Sequence, residues 1–272
     1  MINIQKVILL FVCFDVVFCA NAQRPKMADI EQHFYGENVK QKDATTAIVK
    51  VANAGIQVLT FEKFDGLNIT QGDIIISKAD DKKMLGTIEL GKTWANKTLP
   101  YIIDANVPSN IRENIKAAIA HWEQTTPIRF TERTTQKDYV VFRRGSSPGI
   151  GASQVGCQGG MQEIFLGVQT NISVAIHEIG HTLGLWHEQS RPDRNNFVTI
   201  MWQNIIPRYR NNFETAGTFY GDYDFKSRMH YSPVAFSLNG QPTIVPIDPK
   251  NIIENDGYLS LGDIAAINAL YP

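Results

Sequence analysis

Residues 177–188 read HEIGHTLGLWHE, and no other stretch restricts the chain so tightly. Three of its six histidines fall there. His177 and His181 are four positions apart, so on an α-helix their imidazoles leave the same face one turn apart. Glu178 lies about 100° further round, badly placed as a third ligand beside them but able to stand next to a metal-bound water. Gly184 follows His181 by three residues, and a glycine there can end the helix by a left-handed step. The chain then returns His187 towards the same point. Three neutral imidazoles leave zinc a fourth position for water, the open arrangement of a catalytic rather than a structural site. A carboxylate beside such a water can take its proton.

A bare H-E-x-x-H also occurs on solvated helices, but the extended string H-E-x-x-H-x-x-G-x-x-H matches the metzincin signature. Downstream lies Ser227-Arg228-Met229-His230-Tyr231, where Met229 fits the methionine turn that metzincins place beneath the metal.

The rest of the chain supplies a setting. Its 272 residues suffice for one large domain or two small ones, and a net charge of −1 gives no bulk-charge argument for a nucleic-acid or membrane-surface partner. Lys6, the apolar run Val7–Phe18 and Ala20-Asn21-Ala22 read as a secretory signal over residues 1–22, too short to span a bilayer. Cys13 and Cys19 would leave with it, so Cys157 stands alone and no internal disulfide is expected. Residues 23 to about 92 look accessory, with one strand-like piece at Asp73–Ile76 and a charged, nick-prone stretch at Asp80–Lys83. Strands are expected at 99–103, 128–131, 139–142 and 162–168. A helix capped by Ser109-Asn110 is expected over 111–124, with Ile111, Ile115, Ala118, Ile119 and Trp122 on one face. Further helices are expected over 171–185 and after Ser260, where Asp263 makes an acidic variant of the capping box. This order predicts an α+β fold with one mixed, mostly parallel twisted sheet, a central zinc-binding helix and a C-terminal helix.

From about Leu85 to Pro272 the chain resembles the astacin family of metzincin zinc endopeptidases. The resemblance rests on the zinc string followed by Glu188, and on Asp224-Phe225-Lys226-Ser227-Arg228-Met229-His230-Tyr231. Trp94 with Leu99-Pro100-Tyr101, Ser153-x-Val155-Gly156, and Val198-x-Ile200 with Asn204 add weaker matches. It implies a secreted, monomeric zymogen acting on proteins or peptides, with a propeptide over residues 23–84 as its own inhibitor and a protease domain over 85–272. It implies one Zn2+ held by His177, His181 and His187, with Glu178 as general base. Tyr231 is implied as a further zinc ligand that swings aside to stabilise the oxyanion, Met229 as a structural floor, and Glu188 as the anchor of the new N-terminus. Thr70-Gln71-Gly72-Asp73 resembles the family's propeptide motif and makes Asp73 the latency ligand. The strand 160–166 resembles the edge strand that pairs with extended substrate. The chain departs from the family in lacking its usual disulfides, which looks bacterial, and in having Arg228 where an apolar residue is usual. A domain beyond the protease is not expected. The competing readings are a non-catalytic zinc-binding protein on a protease scaffold and a matrixin-type protease, the latter disfavoured by Glu188 and Tyr231.

Overall fold

The computed structural model describes residues 45–79, 88–254 and 256–272. The expected signal, Cys13 and Cys19, and the expected cut near Met84 or Leu85 lie outside the described residues.

Helix α1, Ser109–Thr125, buries Ile111, Ile115, Ala118, Ile119 and Trp122, the same stripe that the 3.6-residue period singles out. Its N-cap is Pro108 with no side-chain cap bond, so the expected Ser109-Asn110 cap does not form. Helix α2, Ile172–Thr182, starts at Asn171, whose side chain accepts from the Ser173 and Val174 amides. Every residue from Ala175 to Thr182 is buried, so this part of α2 threads the interior. Helix α3, Leu261–Leu270, opens with the expected capping box between Ser260 and Asp263.

The strands are β1 (Thr45–Val51), β2 (Gly55–Phe64), β3 (Leu67–Thr70), β4 (Ile74–Lys78), β5 (Ile88–Leu90), β6 (Thr98–Ile103), β7 (Arg129–Glu132), β8 (Tyr139–Arg144), β9 (Gly151–Ser153) and β10 (Met161–Leu166). They form one sheet in the order β5-β1-β2-β3-β4-β9-β10-β8-β6-β7. From β10 through β8 and β6 to β7 the pairing is parallel, and only β9 runs antiparallel to β10. A second sheet pairs β11 (Val198–Ile200) with β12 (Ile244–Pro246).

Two expectations are corrected here. The described part of the accessory segment carries five strands rather than one: β1 to β4 join in antiparallel succession, and β5 lies parallel to β1. Strand β10 is interior, flanked by β8 and β9. Among the strands from β6 onward in this sheet, the three-residue β9 is the outermost on that side, and β4 lies along it in parallel through Ile74 and Ser153.

Between the sheet and α1 and α2 lies the main core, including Leu99, Trp122, Phe142, Ile164, Ile176, Ile179 and Met229. Each such side chain contributes about 1.5–3 kcal/mol on burial. A separate cluster seats the N-terminal segment: Val49, Val51, Phe61, Ile74 and Ile76 pack with Val155, Trp186 and Ala216. The segment is therefore held on the rest of the chain by apolar burial and by the pairing of β4 with β9.

Candidate metal centre

His177 and His181 leave the same face of α2, with ring centroids 4.6 Å apart. Gly184 has φ +112, and an added Cβ would lie 2.8 Å from Leu270, so conformation and space both demand glycine there. The turn it makes brings His187 back, 4.7 Å from His181 and 5.2 Å from His177 between ring centroids.

Each ring is oriented through Nδ1. That of His177 donates to the Arg228 carbonyl at 3.0 Å and that of His181 to the Leu185 carbonyl at 2.8 Å. His187 Nδ1 meets Gln71 Oε1 at 3.0 Å. With the protons on Nδ1, all three Nε2 atoms carry lone pairs and face one another, at 3.3 Å between His177 and His187. Asp73 joins them, its carboxylate 3.3 Å from His177 Nε2, 3.6 Å from His181 Nε2 and 3.3 Å from His187 Nε2. One ligand atom from each of the four lies within 4.8 Å of the others. His181 Nε2 and Asp73 Oδ1 are buried without a hydrogen-bond partner. Four lone-pair donors buried face to face make sense only around a cation, and a three-imidazole, one-carboxylate set with every Nδ1 anchored suits zinc.

Electrostatics agree. Burial would raise the Asp73 carboxyl, but the charge of His187 and hydrogen bonds from the three rings, in their protonated forms, outweigh it and hold the group well below the ordinary carboxylate value. Burial lowers His177 to about 4, which keeps the ring neutral and able to coordinate. Glu178 is displaced the other way: burial first, then the Asp73 charge, raises it well above the usual range. Ser153 Oγ donates to Glu178 Oε2 at 2.6 Å and fixes the carboxylate beside the histidines. In the sequence Ser153 stands only within a weak family match, and nothing there marks its contact with Glu178.

Met229 is 1% exposed and lies directly under α2. A Cβ on Gly180 would sit 2.7 Å from its sulfur, so helix and methionine turn are in close contact. The turn is held from α3: Asp263 accepts from Ser227 Oγ at 2.6 Å and from the Arg228 amide at 2.7 Å. The sequence marks Asp263 only as a helix cap, and its service to the methionine turn is not visible there.

Tyr231 lies tilted against His187, with ring centroids 4.7 Å apart, and its hydroxyl donates to the Gln71 carbonyl. Glu188 accepts from Arg191 Nη1 at 3.0 Å and from the Asp224 amide at 2.8 Å, and burial raises its carboxyl to about 7. Arg191, Asp222, Asp224 and Asp263 surround the small cavity beside it. The Arg228 side chain is largely buried, close enough to Glu178 and Asp263 for their charges to act on it.

A helix bearing H-E-x-x-H, a glycine stop, a third histidine on the returning chain and a methionine turn beneath define a metzincin-type metal centre. The model of the peptidase family Astacin matches residues 86–272, and the chain belongs to that family. The zinc metalloproteinase nas-6 of Caenorhabditis elegans is 34% identical over 213 residues, covering 75% of this chain and 59% of that protein. Tolloid-like protein 1 of Mus musculus is 37% identical over 192 residues, covering 66% of this chain and 19% of that protein. The chain thus spans less than two thirds of the length of these curated relatives. Among solved structures, high choriolytic enzyme 1, a hatching enzyme zinc-protease from Oryzias latipes, superposes with a TM-score of 0.60 at 33% identity. That match covers 67% of this chain and 94% of the other.

Proposed function

We propose that the protein is a secreted zinc-dependent endopeptidase, made as a zymogen and held here in its latent state. The observation that carries this reading is the convergence of three Nε2 atoms and the Asp73 carboxylate on one point, with all three Nδ1 atoms engaged elsewhere. Residues 1–22 would be the signal, 23–84 the propeptide and 85–272 the protease domain. No helix among the described residues is long and apolar enough to cross a membrane.

His177, His181 and His187 would hold one zinc ion, and Asp73 would complete the set until the propeptide leaves. The ion supplies Lewis-acid polarisation and a lowered pKa for water. Glu178 accepts the proton of the water that attacks the scissile carbonyl carbon. It then passes that proton to the amine nitrogen as the C–N bond breaks. Once the Gln71 carbonyl is withdrawn, the Tyr231 hydroxyl donates to the oxyanion of the tetrahedral intermediate. Substrate in extended form would take the place of β4 along β9, adding a strand to the sheet. Glu188 and its acidic surroundings would receive the new N-terminal ammonium.

Proteins or peptides are the substrates, and the chain acts as a monomer inhibited by its own propeptide. The test is metal analysis of purified proenzyme and activated protein, with casein hydrolysis by each. About one zinc per chain in both, with hydrolysis confined to the activated form and abolished by a chelator, supports the reading. Hydrolysis indifferent to chelation refutes it.

A further inference from the structure

Gln71 lies in the N-terminal segment, one position before the Gly72-Asp73 pair, and is 2% exposed. Its backbone is in the left-handed region at φ 50, which lets residues 71–73 turn into the site instead of continuing β3. Two of its atoms touch the site. The backbone carbonyl takes the Tyr231 hydroxyl proton, and the side-chain Oε1 takes the His187 Nδ1 proton at 3.0 Å. The other two histidines are oriented by backbone carbonyls of Arg228 and Leu185, both in the protease region. Among the described residues, only the His187 ring has its Nδ1 partner in the segment that activation would remove.

For His187 to turn an Nε2 lone pair to a metal, the Gln71 amide must present Oε1 to Nδ1. With Oε1 towards Nδ1, the imidazole proton sits on Nδ1 and Nε2 keeps its lone pair for a metal. The reversed amide would place the proton on Nε2, pointing at two other imidazoles and a carboxylate. In the observed orientation Gln71 Nε2 is buried with no hydrogen-bond partner. Burying that NH2 unpaired works against folding. The contact with His187 is what the position gains in return.

We propose that Gln71 is a metal-positioning residue supplied by the propeptide: it orients His187, so that the latent chain holds zinc more tightly than the mature enzyme does. The propeptide would then contribute twice, through the Asp73 carboxylate on the metal and through Gln71 behind the third histidine. The proenzyme becomes the form in which the site is loaded and its zinc retained.

This rests on the zinc site proposed above, and the experiment separates the two. Full-length proenzyme loaded with Zn2+ is mixed with an excess chromogenic chelator, and the rate of zinc release is followed for wild type, Q71L and Q71E. Co2+-loaded samples give visible spectra that report the ligand field without any activity. Losing an outer hydrogen bond to a metal-bound histidine costs about 10- to 100-fold in metal affinity. Q71L is expected to release zinc about 10- to 100-fold faster and to alter the cobalt spectrum. Q71E keeps an acceptor and is expected to hold zinc at least as well as wild type. Activation removes residue 71, so mature enzyme from all three proenzymes must be identical, which makes each its own control. Should Q71L fail to fold, Q71N, which tolerates a positive φ and falls short of His187, reads the same loss. Equal release rates from folded wild-type and variant proenzymes would overturn the role of Gln71 and leave the zinc site standing. Absence of zinc from every form would instead refute the site.

Discussion

Replacing Asp73 by asparagine separates ligation from obstruction. The substitution keeps the size of the side chain and removes the charge that faces three imidazole nitrogens at 3.3, 3.6 and 3.3 Å. It leaves the remaining plug contacts in place: Ser153 N to the residue 73 carbonyl at 3.0 Å, the Tyr231 hydroxyl to Gln71, and the apolar cluster around Val49, Phe61, Ile74 and Trp186. A buried contact to a charged group contributes about 1.5–3 kcal/mol. At about tenfold per 1.4 kcal/mol, the open fraction of uncleaved proenzyme should rise roughly 10- to 150-fold. The assay is initial-rate hydrolysis of a quenched fluorescent peptide by freshly purified proenzyme, with a gel confirming that the propeptide is intact. Activated protein from D73N and wild type should be indistinguishable, because residue 73 leaves with the propeptide. If uncleaved D73N is as silent as wild type, obstruction by the segment maintains latency and the ligand argument is wrong.

Three further outcomes follow from the geometry. G180A pushes a methyl carbon to 2.7 Å from the Met229 sulfur, and overpacking of about 1–3 kcal/mol should lower Tm by roughly 2–12 °C in a thermal melt. An unchanged Tm would mean that the methionine turn is not packed against α2. Mature Y231F should lose about 10²–10³ in kcat with its zinc content intact, and an equal kcat would remove Tyr231 from the chemistry. D263A removes the acceptor of the Ser260 amide, one half of the α3 capping box, together with the acceptor for Ser227 and the Arg228 amide, so denaturant titration should show a loss of about 3 kcal/mol. A loss of only about 1 kcal/mol would mean that Asp263 does no more than cap the helix.

The parts of the site legible in the sequence were those encoded by local period and backbone need. His177 and His181 share a helical face by spacing alone, Gly184 stops the helix because of its φ, and Ser260 with Asp263 forms a cap within one turn. Strands β1 and β2 were missed because their outer faces are apolar too: Ile48, Ile56 and Val58 are exposed, which blurs the alternation that marks a half-buried strand. The outer strand β9 is Gly-Ala-Ser, three small residues without β-branching, so β10 with its Ile164 and Phe165 stood out in its place. Gln71, Ser153 and Asp263 act through contacts with residues 116, 25 and up to 36 positions away. No window along the chain contains such a pair.

We propose that Glu178 works beside a zinc ion on His177, His181 and His187. The most direct measurement is E178Q in the activated enzyme, with zinc content and peptide hydrolysis read on the same sample. The amide keeps the shape of the carboxylate and cannot accept the proton. E178Q should hold about one zinc per chain, as in wild type, with hydrolysis down by about 10²–10⁴. Hydrolysis at the wild-type rate by zinc-loaded E178Q would contradict it.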